Sequence, residues 1–91
     1  MPTVHLAISG VVQGVGFRWF VRERARRWGL AGWVRNRDDG TVELAAAGSD
    51  EAVDALVKAV RSGPPGASVR DVAELSADDL GDLPQPFAVM R

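Results

Sequence analysis

The hydrophobic period changes between residues 10 and 17, and that change limits what the chain can fold into. Before it, apolar and polar residues alternate: Val4, Leu6 and Ile8 point one way, Thr3, His5, Ala7 and Ser9 the other. A period of two marks a strand with one buried face. After it, Phe17, Phe20, Val21, Ala25 and Trp28 fall on one face of a helix, and Gly29 stands where that helix ends. "LAGWVRN" (30–36) and "TVELAAA" (41–47) read as two further strands, the second with Val42, Leu44 and Ala46 on one face. Ser49 is a good N-cap, Asp50 and Glu51 suit the positive end of a helix dipole, and Val53, Leu56, Val57 and Val60 form an apolar stripe. Gly63 and two prolines stop that second helix. "SVRDVAEL" (68–75) predicts a fourth strand, "SADDLGDLPQP" (76–86) a loop, and "FAVMR" (87–91) a short last strand on an edge.

The order β-α-β-β-α-β in so short a chain predicts an α+β fold, the ferredoxin-like split βαβ sandwich, with an antiparallel sheet and two helices on one face. A length of 91 residues with 46% apolar content supplies one core, so a single domain over residues 1–91 is expected. The architecture serves enzymes, metal carriers and RNA binders alike and names no function.

The hairpin "NRDDGTV" (36–42) can turn in two ways. A two-residue loop centred on Asp39 and Gly40 leaves Val42 and Leu44 facing water. A three-residue loop, Asp38 to Gly40, sets Val34 opposite Leu44 and Asn36 opposite Val42, with Gly40 taking the left-handed position. Burial selects the three-residue loop, because a one-residue slip inverts both faces. Asn36 then points to the helix-covered side at the end of its strand. A right-handed split βαβ unit brings the ends of strands one and two to the same end of the sheet. The glycine-rich loop "GVVQGVGFR" (10–18) and Asn36 should therefore meet, about 10 Å apart across two strand spacings.

The start of the first helix breaks a local rule. Helix starts favour acids, yet this one begins Phe17-Arg18-Trp19-Phe20 and has no acid before Glu23. A bound anion would resolve the conflict: loop and helix N–H groups with a guanidinium make a phosphate cradle. The same spacing also fits an ordinary strand-to-helix turn with Arg18 reaching solvent, and spacing alone does not choose between them. The loop is not a nucleotide fingerprint, since no Lys-Ser/Thr follows it and residue 19 is not glycine.

Composition removes several chemistries. There is no cysteine, hence no disulfide framework, thiolate metal site or thiol nucleophile. The net charge of −1 is unevenly spread: seven Arg face four acids in residues 1–47, and four basic residues face eight acids in 48–91. The only histidine, His5, lies about 17 Å from Gly10 along its strand and on the face away from the helices, so it is expected as a surface residue, not a base. Arg18, Arg22 and Arg26 form one i, i+4 row flanked by Arg24 and Arg27, which raises an RNA-binding alternative. The open face of strand one offers only His5, Ala7 and Ser9 as a stacking platform, so nucleic acid is not an expected partner. Trp19 and Trp33 are expected in packing or surface roles, with lining a substrate entrance as the alternative. No segment resembles a signal peptide or membrane span, and a cytoplasmic location is expected.

Two motifs together carry a resemblance. "G-x-V-Q-G-V-x-F-R" at 10–18 and "G-W-V-x-N-x-x-D-G-x-V" at 32–42 resemble the acylphosphatase family, as do "SGPPGASV" (62–69) and the close of the chain at Phe87 and Arg91. Arg37 stands where some members carry a small hydroxyl residue, and Asp38 where proline is frequent in bacterial members. The resemblance implies the ferredoxin-like fold and hydrolysis of carboxyl-phosphate mixed anhydrides to a carboxylate and phosphate, with no metal or other cofactor. It implies that Arg18 binds the phosphoryl group and that Asn36 orients the attacking water. The backbone of Val12, Gln13, Gly14, Val15, Gly16 and Phe17 would complete the cradle. The expected partner is a small acyl phosphate, with inorganic phosphate as product and competitive inhibitor; the chain is expected to act as a monomer, away from membranes. A carrier role, as in larger carbamoyl-transferring proteins that contain such a module, is the third reading.

Overall fold

The computed structural model describes residues 2–90. Arg91 lies outside the described residues. Five strands and two helices follow in the order β1 (Thr3–Val11), α1 (Phe17–Arg27), β2 (Ala31–Asn36), β3 (Val42–Ala47), α2 (Asp50–Ser62), β4 (Ser68–Glu74) and β5 (Ala88–Val89). The strands form one sheet in the order β4-β1-β3-β2-β5. β1 and β2 each pair antiparallel with β3 and so run in the same direction, toward a common end. The ferredoxin-like order expected from the sequence is the one found.

Alternation builds the core. Leu6 and Ile8 of β1, Val34 of β2, and Val42, Leu44 and Ala46 of β3 face one side and are buried. Phe17, Val21 and Ala25 of α1 and Val53, Leu56 and Val60 of α2 cover them. The β2–β3 register is that of the three-residue loop: Val34 pairs with Leu44 and Asn36 with Val42. Gly40 has φ 92°, the left-handed conformation that this turn requires and that side chains resist. Helix ends follow their signals too. The Ser49 side chain accepts from the Ala52 N–H at 3.2 Å, and Gly63 closes α2.

Two features differ from the expected antiparallel, open-faced sheet. β5 pairs parallel to β2, as Trp33 with Ala88 and Val34 with Val89. β4 and β5 also lie on opposite edges, so residues 75–87 must cross the sheet, and they cross the face away from the helices. The Leu75 N–H donates to the His5 carbonyl at 2.7 Å and the Gly32 N–H to the Pro84 carbonyl at 2.8 Å. Between these points Ala77, Leu80 and Leu83 border an open depression together with Thr3, Ala31 and Ala47. Because β4 ends at the far end of the sheet, the crossing enters β5 there, heading the same way as β2. Phe87, at the end of the crossing, is fully buried, and its carbonyl accepts from Arg26 Nε at 2.9 Å.

The crossing also explains a buried acid. Glu43 is only 6% exposed. Its Oε1 accepts from Arg35 Nε at 2.7 Å and its Oε2 lies 2.6 Å from His5 Nε2, while His5 Nδ1 donates to the Ser76 carbonyl at 2.7 Å. His5 is therefore held in a network, edge-on to Trp33, and is not a free surface residue. Burial works to raise the Glu43 carboxyl, but hydrogen bonds from His5 and Arg35, with their charges, outweigh it and hold the group below its ordinary 4.5. A carboxyl lowered in the folded state adds stability above its unfolded value, and that increment is lost as pH falls through the lowered folded value. Glu43→Gln is thus expected to unfold at lower urea than wild type at neutral pH, with the gap narrowing on acidification below 4.5. A gap in urea midpoints that stays constant over that range would remove Glu43 as the source.

Candidate active site

The loop between β1 and α1 turns on two glycines, Gly14 at φ 76° and Gly16 at φ 77°. Both are left-handed with open space around the Cβ position, so backbone conformation, not crowding, selects glycine there. The turn delivers the chain into α1 with Gly16 as N-cap, no side-chain cap and no acid in the first turn. Phe17, buried in the core, anchors the helix start. Among the described residues, no protein acceptor takes a backbone N–H from Gln13 to Trp19. That leaves a run of N–H dipoles at the positive end of a helix, a natural seat for an anion.

Arg18 stands on that first turn, half-buried, and among the described residues its side chain has neither ion pair nor hydrogen bond. Asn36, last residue of β2, reaches the same cleft, and its side-chain amide likewise has no protein partner among the described residues. The cleft has a volume of about 380 Å³. Val12, Gly14, Gly16 and Phe17 line it together with Arg18 and Asn36. Val15 instead packs against the core.

Gln13 behaves differently from its neighbours. Its Nε2 donates to the Arg37 carbonyl at 2.8 Å and to the Thr41 carbonyl at 2.9 Å. These carbonyls flank the three-residue turn that follows Asn36. Both hydrogens of the amide are thereby used to tie the loop to the hairpin, which leaves the backbone N–H as the donor Gln13 can offer an anion. The latch sets the loop relative to Asn36. Arg37 itself lies 3.9 Å from Asp39, whose carboxyl is held low mainly by hydrogen bonds from Thr41.

Three further side chains complete the cleft: Trp19, Arg22 and Val89. Trp19 sits off the apolar face of α1, which was the available signal for it. Arg22 follows Arg18 by four residues. Val89 carries no local signal, because its place depends on β5 pairing with β2. The arginine row is mostly engaged. Arg22 pairs with Glu23 at 2.8 Å and covers Trp19, Arg24 covers Phe20, and Arg26 bonds the Phe87 carbonyl. Residues 75–87 cross the opposite sheet face, the one that would serve as a stacking platform.

The acylphosphatase family model matches residues 4–89. The chain belongs to the acylphosphatase family. An acylphosphatase of Acidiphilium cryptum is 57% identical over 78 residues, which are 86% of each chain. The crystal structure of acylphosphatase from Bacillus subtilis superposes with a TM-score of 0.90 at 40% identity over the full length of both chains. A Coxiella burnetii acylphosphatase does so at 0.80 and 39% identity, covering 97% of this chain and 90% of the other. As an acylphosphatase, the chain is a hydrolase acting on an acid anhydride, the acyl phosphate. Among the described residues of this acylphosphatase no helix is long and apolar enough to cross a membrane.

Proposed function

We propose that the phosphoryl group of an acyl phosphate sits on the N–H groups of residues 12–18 and the Arg18 guanidinium, and that Asn36 holds the attacking water. The observation that carries this reading is a run of N–H groups, a half-buried arginine and an amide that open on one cleft and have no partner among the described residues. The water oxygen attacks phosphorus, and the bond from phosphorus to the acyl oxygen breaks. The carboxylate leaves with the electron pair of that bond. Its conjugate acid has a pKa of about 4, so it departs without a general acid. The phosphate itself accepts the proton lost by the water. Phosphoryl transfer has a loose transition state, in which positioning and electrostatics carry most of the rate. The Arg fork and N–H dipoles supply the positive charge, and the reaction needs no metal ion or other cofactor.

Inorganic phosphate, the product, occupies the same cradle and inhibits competitively. The protein works as a cytoplasmic monomer, one domain over residues 1–91. The test is an assay with excess chelator, comparing benzoyl phosphate with p-nitrophenyl phosphate. Rapid turnover of the first and little of the second is expected, since a phenolate is the poorer leaving group. A requirement for added Mg²⁺, or equal turnover of both substrates, would overturn the mechanism.

A further inference from the structure

With the phosphoryl group assigned to the loop, Arg18 and Asn36, three side chains of the cleft remain that it does not engage, namely Trp19, Arg22 and Val89. Trp19 is 61% exposed and Val89 37%. An indole is the side chain with the most apolar area to gain by burial, and this one stands in solvent at the mouth of a polar cradle. It is not loose. The Arg22 guanidinium lies 4.5 Å from the indole centroid, and Arg22 is in turn held by Glu23 at 2.8 Å. The indole is thereby backed on one side, and the charge of Arg22 is already answered by a carboxylate. Val89 borders the same cleft from β5, the strand beyond Asn36.

An acyl phosphate has a dianionic head and an acyl group that must project beside it. Val12 and Phe17 meet the cleft from within the core, so the apolar, solvent-facing surface left for the acyl group is that of Trp19 and Val89. We propose that Trp19, backed by Arg22 and bordered by Val89, is the acyl-group subsite and favours acyl phosphates with a flat, apolar acyl part. The inference rests on the phosphoryl group occupying the loop and Arg18. Neutralisation of Arg22 by Glu23 makes a second anionic group on the acyl chain the poorer fit.

The test measures kcat and KM for benzoyl and acetyl phosphate in wild type, Trp19→Ala and Trp19→Phe. Wild type is expected to favour benzoyl phosphate through KM. Trp19→Ala should lower the benzoyl-to-acetyl ratio of kcat/KM about three- to tenfold, the range of one aromatic contact, with the change in KM. Trp19→Phe should restore most of it. Wild type active on both substrates with an unchanged ratio in Trp19→Ala overturns the subsite alone, as does a loss confined to kcat. Wild type inactive on both removes the phosphoryl-site reading and the subsite with it.

Discussion

Arg18→Ala is expected to lower kcat/KM for benzoyl phosphate by on the order of a hundred- to a thousandfold, and to weaken inhibition by inorganic phosphate in parallel. The effect is large because Arg18 is the cleft's one cation without an acid partner among the described residues. Its guanidinium, half-buried in the cleft, offers two parallel N–H groups to the phosphate oxygens. The loop N–H groups remain in the variant, so activity should fall without vanishing. Arg18→Lys keeps the charge and loses the fork, and should recover only part of the rate. Stability is not expected to suffer, since Arg18 contributes no ion pair among the described residues and alanine is the best helix former. Wild-type turnover in Arg18→Ala, measured by release of benzoate, would end its role.

Asn36→Ala should separate the two halves of the site. Here the expected change is a fall in kcat of roughly a hundredfold with the phosphate inhibition constant nearly unaltered, because the role proposed for the amide is on water and not on the phosphoryl group. The strand end should hold without it. Asn36 pairs with Val42 through its backbone, and its side chain bonds no described residue. Loss of phosphate inhibition together with kcat would instead place Asn36 in the cradle.

Much of this site was legible in the residues. A glycine loop that ends on a cation, at a helix start without acids, is a conflict between local rules that an anion resolves. Asn36 was placed by register: turning Val42 and Leu44 inward forces the three-residue loop, and that loop sends Asn36 to the helix side. Gln13 shows where such reasoning stops. Its position in the motif assigns its backbone to the cradle and says nothing of its side chain, whose amide donates to the hairpin carbonyls of Arg37 and Thr41. Nothing in the order of residues says which of two nearby acceptors a flexible amide will choose. His5 and Glu43 are similar. Alternation puts both on the face away from the helices, and only the path of residues 75–87 makes that face a buried one.

The elements, their order, the hairpin register and the meeting of the glycine loop with Asn36 can all be read along the chain. Each follows from hydrophobic period, turn chemistry and handedness, which act over a few residues or on neighbouring elements. The crossing of the far face, the parallel entry of β5 and the assembly of Trp19, Arg22 and Val89 at the cleft mouth appear only once the chain is folded. Those depend on which sheet edges β4 and β5 occupy, and a pairing between distant segments leaves no period in the chain for a reader to find.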